Sequence, residues 1–542
     1  MAASGNYDFI VVGAGAAGCF VASRLARTRK RPSVLLIEAG GKNDSKSVRI
    51  DAERWLHRLN PAQAWGYQTV PITGLDGLPR PYDRGKGLGG STSINFSCWT
   101  IGPKDDHDEI ARLVDDEEWK WTNAQQRYKR IESYHGFAPD IPANGEKYLS
   151  PKRDDHGLDG LVDVGFPAVW EKTATDQMDI WLANGVKANP DHNSGDPIGL
   201  AIAVNSAYKG LRSTAADALR GAPPNLHIVT DAEVARVLFD GRKAVGVTTV
   251  DGQKFYASTE VIISCGSLDT PRILMHSGIG PADQLNRFNI PILKANPNVG
   301  QHMKDHHHAV LTWERAEHTT DRHRFYRSKE RQAAARVQWE TSQSGPLAEI
   351  ACALGIGFLK LDSVYRSQEF QSLPAETREH LQKPTIPSYE FALNGPSTGY
   401  FLDPDNTPPA LSVFVFILNM QSTGSVTLQS SDPKVPLIFD PNFFSQPYDK
   451  KLAVEATRDV LKVVASPQFS KDTIGAIEAP QSDSEADILA FWKKHTTTTW
   501  HMMGTARMGK DDNTAVVDKD FKVFGVDKLR VADMSVIPIT IK

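Results

Sequence analysis

Tyr7-Asp8-Phe9-Ile10-Val11-Val12-Gly13-Ala14-Gly15-Ala16-Ala17-Gly18 lies close to the N-terminus and decides how the rest of the chain is read. An apolar run long enough for one buried strand ends in a glycine-rich turn. Ala17 to Arg27 then carries Val21, Leu25 and several alanines at helical spacing. A second apolar run, Ser33-Val34-Leu35-Leu36-Ile37-Glu38, suits a strand buried on both faces. Strand, turn, helix and strand in this order are the opening of a doubly wound α/β sheet of Rossmann type. Gly13 permits the tight turn, Gly15 and Ala16 let the backbone approach a pyrophosphate, and Gly18 lets helix and strand pack closely. The helix N-terminus offers free N–H groups and the positive end of its dipole to that anion. Glu38, with Ala39 behind it, falls where an acid accepts hydrogen bonds from the adenosine ribose. The pattern by itself does not separate FAD from NAD.

A second glycine-rich stretch, Gly85-Lys86-Gly87-Leu88-Gly89-Gly90-Ser91-Thr92-Ser93-Ile94-Asn95, continues to Trp99, Gly102 and Asp108. Paired glycines, small hydroxyl residues and an Asn suit a backbone pressed against a flat aromatic ligand and its phosphates. The interleaved Leu88, Ile94, Phe96 and Trp99 predict a buried segment rather than a free surface loop.

This stretch resembles the first signature of the glucose–methanol–choline (GMC) oxidoreductase family. Gly266-Ser267-Leu268-Asp269-Thr270-Pro271-Arg272-Ile273-Leu274-Met275-His276-Ser277-Gly278-Ile279-Gly280 resembles the second. Trp65-Gly66-Tyr67, His156-Gly157, Val299 to His306, Ser431-Asp432-Pro433 and the segment from Trp500 extend the likeness in order along nearly the whole chain. The resemblance implies an FAD cofactor, a doubly wound FAD domain, and a substrate domain with a mixed sheet roofing the flavin, α+β overall. It implies cofactor contacts at Gly85, Leu88, Gly90, Ser91 and Asn95. Val234 matches a position against the adenine, and Asp533 an acid near the ribityl and pyrophosphate portion. Some relatives attach their flavin through a His of the first signature. None stands between Gly85 and Trp99, so noncovalent FAD is expected. The expected division gives 1–155, 207–305 and 493–542 to the FAD domain, and 156–206 and 306–492 to the substrate domain.

Trp500-His501-Met502-Met503-Gly504-Thr505-Ala506-Arg507-Met508-Gly509 resembles the family segment whose His faces flavin and substrate. Alcohol oxidation removes the O–H proton while the α-carbon hydride leaves. A neutral imidazole, with an ordinary pKa of about 6.5, suits that proton abstraction. His501 is the expected catalytic residue, the substrate a small-molecule alcohol, and the electron acceptor oxygen or another oxidant. In specialised metabolism such a step yields an aldehyde or ketone. A flavin-binding protein without net redox turnover, lyase-like or impaired, is the alternative. In relatives a second catalytic His or Asn follows a segment like Val531 to Pro538. This sequence ends at Lys542 before reaching it, which leaves truncation, another residue in that role, or impaired activity open. His302, His306, His307 and His308 lack a clear ligand-spacing motif and are read as structural, with no metal site expected.

The bulk properties agree with this reading. At 542 residues the chain exceeds one ordinary core, so two domains are expected. A net charge of -4, from 61 basic and 65 acidic residues, gives no pull toward nucleic acid or anionic membranes. The charge run from Lys104 to Lys120 reads as a solvated helix. Cys19, Cys98, Cys265 and Cys352 lie far apart, with the first three read as buried thiols. That thiol pattern, with no apolar leader and no run of roughly 18 apolar residues, predicts a cytoplasmic protein without a membrane span.

Overall fold

The computed structural model describes residues 5–136, 145–166, 172–320, 322–349, 355–395, 403 and 405–542; Cys352 lies outside them. The opening strand, Asn6–Val12, leads through the glycine turn into the helix Ala16–Ala26 and back to the strand Val34–Ile37. Ile10, Val11 and all of Val34–Ile37 are buried, the result of covering both faces of a parallel sheet. The sheet runs Leu226–Val229, Val34–Ile37, Asn6–Val12, Lys254–Ile263, with Leu529–Val531 on the far side of the last strand's C-terminal half. All four ladders are parallel and their C-terminal ends align: Val12 lies beside Ile37 and Ile263, and Ile263 beside Val531.

Two pairings join strands that are distant in the sequence. Leu226–Val229 pairs in parallel with Val34–Ile37, at the opposite edge of the sheet from a β-meander. The meander consists of Val234–Asp240, Lys243–Thr249 and the N-terminal half of Lys254–Ile263, paired antiparallel. Val162–Val164 pairs in parallel with Glu132–Tyr134. Residue spacing along one strand carries no information about which neighbour it meets.

The second sheet runs Gly355–Leu359, Tyr389–Gly395, Ala410–Ile417, His307–Arg315, Thr473–Glu478, and Thr497–Thr498 also pairs with His307–His308. Its ladders are antiparallel, and among the described residues the parallel component is a bridge between Ile198 and Phe358 at the edge. One face, with Ala309, Leu311, Trp313, Tyr389, Phe391, Val413, Val415 and Ile417, packs on the helix Pro447–Val464 through Leu452, Ala456 and Val460. Tyr134, Tyr148 and Leu149, from a stretch assigned above to the first domain, are buried in this second core. The helix Lys104–Val114 is not solvated all round. Asp106, His107, Glu109 and Ile110 are buried, with Asp106 bonded to His380 at 3.1 Å. Cys98 is exposed, unlike the buried Cys19. Among the described residues no helix is long and apolar enough to cross a membrane.

Candidate active site

The glycine turn and the Gly85–Asn95 segment form one cradle at the C-terminal ends of the parallel strands. A Cβ on Gly18 would lie 1.9 Å from the Gly13 carbonyl oxygen, so that position must be bare for helix and strand to meet. A Cβ on Gly15 would meet no protein atom within 4 Å: it would enter open space in front of the helix. The helical ladder begins with the Cys19 N–H donating to the Gly15 carbonyl at 3.2 Å, which leaves the N–H groups of the preceding turn outside it. A cradle one methyl group would intrude upon, at a helix N-terminus, fits a pyrophosphate.

Glu38 fastens the cradle together. Its Oε2 accepts from the Ala14 N–H at 2.8 Å, and its Oε1 from the Gly40 and Gly87 N–H groups, both at 2.9 Å. A carboxylate has about four lone-pair sites, so one remains for a ribose hydroxyl. The acid therefore has a structural duty that the ribose reading alone did not foresee. Nearby, the Gly89 N–H donates to the Ala14 carbonyl at 2.9 Å and the Leu88 N–H to the Gly41 carbonyl at 2.9 Å. A Cβ on Gly90 would fall 2.7 Å from the Gly15 Cα, so the two glycine segments touch backbone to backbone.

Beyond Gly90 the chain takes one short 3-10 turn, Gly90–Ser93. Ser91 Oγ accepts from the Gly85 N–H at 3.0 Å, and the buried Arg212 donates to the carbonyl of Asn95 at 2.8 Å. Ile94 is buried as expected, but Phe96 is 46% exposed, its ring 6.1 Å from that of Trp500. Ala39 follows Glu38 at the strand end, and the buried Val234 begins its strand two residues after Ala232, whose N–H donates to the Glu38 carbonyl at 2.9 Å. Asp533 follows the strand Leu529–Val531. Its carboxylate accepts from the Gly266 N–H (2.9 Å), the Thr270 hydroxyl (2.6 Å) and the Ser535 N–H (2.8 Å), holding the start of the helix Gly266–His276.

His501 stands between this cradle and the second sheet. Trp500 just before it has φ 60°, a left-handed backbone two residues past the end of the strand Thr497–Thr498. The His501 N–H donates to Asp305 Oδ1 at 2.9 Å, and Tyr82 donates to the other oxygen of that carboxylate at 3.0 Å. Ser267 Oγ donates to the Met502 carbonyl and Thr505 Oγ1 to the Ser267 carbonyl, both at 2.6 Å, locking the segment to the helix Gly266–His276. His501 is exposed although Thr499 and Met502 on either side of it are buried. Surrounding protein, aided by the Arg84 charge, lowers its pKa to about 4, so it is neutral across the physiological range. Burial raises the Asp305 carboxyl to about 6.

The sequence reading treated His302, His306, His307 and His308 alike. The structure separates them. His302 reaches Asn298 (3.3 Å), His307 stacks on Phe443 (ring centroids 4.4 Å), and His308 packs on Phe416 (4.9 Å). His306 Nδ1 lies 3.1 Å from His501 Nδ1. Alternating strand geometry sends consecutive rings to opposite faces. Among the described residues no group of three or more His, Cys, Asp or Glu side chains is placed to hold a metal ion. Asp305 and His306 were thus missed as site residues. The adjacent acid and imidazole were visible, but their target lies 195 residues away.

A dinucleotide cradle joined to a cleft bearing a neutral imidazole defines a cofactor-dependent oxidoreductase of the two-sheet kind. The chain belongs to the GMC oxidoreductase family: its N-terminal model matches residues 7–308 and its C-terminal model residues 420–542. Pyranose dehydrogenase 3 of Leucoagaricus meleagris is 30% identical over 555 residues, covering 98% of this chain and 89% of the relative. Patulin synthase of Penicillium expansum is 30% identical over 571 residues, covering 98% and 88%. A variant of the formate oxidase of Aspergillus oryzae RIB40, studied for modification of its FAD, superposes with a TM-score of 0.90 at 28% identity, over 100% of this chain and 95% of that one. The protein is accordingly an FAD-dependent oxidoreductase acting on CH–OH groups, with a small-molecule substrate and an electron acceptor.

Proposed function

We propose that this chain oxidises a small-molecule alcohol to an aldehyde or ketone with His501 as the base. The observation that carries the proposal is the position of His501. It is a neutral ring, open to the cleft, anchored by Asp305 and backed by His306 between the cofactor cradle and the second sheet. Both rings are neutral, since burial holds His306 well below the ordinary histidine range, so one Nδ1 donates and the other accepts. When His501 Nδ1 is the donor, its Nε2 carries a lone pair free to take the substrate hydroxyl proton. Bound FAD supplies hydride acceptance at N5 and delivery of the electrons to oxygen or another acceptor. Gly13, Gly15, Ala16 and Gly18 would hold the pyrophosphate, Glu38 and Val234 the adenosine end, and Gly85 to Asn95 the flavin end. Noncovalent attachment is supported by the absence of His from Gly85 to Trp99.

A place in specialised metabolism is supported by the likeness to patulin synthase. Cytoplasmic residence is part of the same proposal and rests on the thiol pattern of the sequence. The test is anaerobic: the purified holoprotein is mixed with a panel of primary and secondary alcohols and its visible flavin band is followed. Bleaching that disappears in His501→Ala, with the flavin still bound, is the expected result. A band that no alcohol bleaches overturns the proposal in favour of a flavin protein without redox turnover.

A further inference from the structure

The strand Tyr389–Gly395 carries an acid with no duty in the proposed reaction. Tyr389 and Phe391 turn into the core under the helix Pro447–Val464, so alternation turns Glu390 to the opposite face. The register sets Glu390 opposite Phe416, and Phe416 opposite His308. His308, Phe416 and Glu390 therefore form a row across three neighbouring strands. Phe414 stacks beside Phe416 with ring centroids 6.2 Å apart. The row runs toward the catalytic segment, for His308 pairs in register with Thr497, four residues before His501.

Phe414, Phe416 and Glu390 are half-buried rather than sealed, which makes this the open face of the sheet. Glu390 differs from the buried acids Asp305 and Asp449. Asp305 has three donors and Asp449 is held by the N–H groups of Gln421 (2.6 Å) and Ser422 (2.8 Å). No hydrogen bond or ion pair holds the Glu390 carboxyl among the described residues, and burial alone pushes it up to about 8. A half-buried carboxyl on an open apolar face with no partner of its own is free to bond an oxygen of a bound ligand. A carboxylic acid that remains protonated near neutrality both donates and accepts, which matches a neutral oxygen better than a cation.

Two strand spacings, about 10 Å, separate this residue from His308. We infer that Glu390 is a specificity-determining residue whose carboxyl hydrogen-bonds a hydroxyl or carbonyl oxygen of the substrate, several bonds from the carbinol carbon and across the apolar strip of Phe414 and Phe416. The favoured substrates are then alcohols with a second, remote oxygen function. This rests on the reading of His501 as the base, which fixes the end at which the carbinol sits.

The test uses the FAD-loaded full chain and three probes: 1,6-hexanediol, 1-hexanol and 6-amino-1-hexanol. Binding is read from perturbation of the oxidised flavin band and, where reduction occurs, from KM and kcat separately. The diol is expected to bind about tenfold more tightly than hexanol. Glu390→Leu abolishes that preference through KM with little change in kcat, and Glu390→Gln, which keeps a donor and an acceptor, retains most of it. An intact flavin spectrum in both variants shows that the fold is preserved. Equal binding of diol and hexanol, absence of diol binding, a preference that survives Glu390→Leu, or tightest binding of the amino alcohol each overturns the inference. Diol selectivity in a protein whose flavin no alcohol reduces would strike the catalytic reading and leave Glu390 standing.

Discussion

The Nδ1 atoms of His306 and His501 lie 3.1 Å apart, with the two rings nearly perpendicular at 85°. The pair is a tautomer lock: the proton can serve only one of the facing nitrogens, and its position decides whether His501 presents a lone pair to the cleft. His306→Leu is expected to retain flavin and lower the rate of flavin reduction by about ten- to a hundredfold. His306→Asn, whose amide oxygen accepts from His501, should recover much of that loss. Stopped-flow reduction over a range of pH checks this, and equal rates in the two variants would refute the lock.

Gly15 and Gly18 make a matched pair of probes. Gly15→Ala meets no protein atom, so the apoprotein should melt within about 0.5 kcal/mol of the original, while FAD affinity falls at least tenfold. Gly18→Ala drives a methyl group into the Gly13 carbonyl, so both apoprotein stability and flavin content should fall. Thermal melting of the apoproteins and titration with FAD separate the two effects. Loss of apoprotein stability in Gly15→Ala would show that the space is not reserved for the cofactor.

Glu38 is expected to act on the fold as well as on the ligand. Glu38→Ala leaves the Ala14, Gly40 and Gly87 N–H groups without their acceptor, each costing about 1–3 kcal/mol where water cannot replace it. Urea unfolding of the apoprotein should show a lowered midpoint before any FAD is added. A variant that unfolds at the original midpoint and only binds FAD less well would return Glu38 to a purely ribose-binding role.

Acid should destabilise the protein through histidines kept neutral by burial. His307 and His308 are lowered to about 3, and His192 to about 4, with burial the leading cause in each. Unfolded histidines titrate at about 6.5, so below that pH the unfolded chain binds more protons. Stability is therefore fully present above about 6.5 and is lost as pH falls toward each native pKa, by about 1.4 kcal/mol per pH unit and per ring. His307→Phe should make the decline shallower by roughly one proton, as read from urea midpoints between pH 7 and 5. An unchanged slope would mean that His307 takes up its proton without unfolding.

The cofactor half was legible because its signal is local. Strand, glycine turn, helix and Glu38 follow one another within a single βαβ unit, and each glycine has a steric reason that can be read one position at a time. His501 was legible through its family segment. Its support was not: Asp305 and His306 join it through the pairing of His307–His308 with Thr497–Thr498 and of Lys304 with Met503, nearly two hundred residues apart. Glu390 left one faint trace, a charge inside the apolar run Tyr389–Leu393. The alternation of that run does not tell which face is open, because the helix Pro447–Val464 decides it.

Vectorial synthesis gives the strand Leu529–Val531 a further meaning. Until it arrives, the outer edge of Val261–Ile263 presents unpaired backbone groups, and Asp533 is absent from the start of the helix Gly266–His276. A nascent chain that has emerged only through the second sheet holds the glycine turn and the Gly85 loop without the segment that closes them. Closure of the cradle thus waits on residues 529–533, which are made after the glycine turn, the Gly85 loop and the helix Gly266–His276 that they join. Until that strand is in place the open edge is a place where another chain could pair, and where a chaperone has reason to bind.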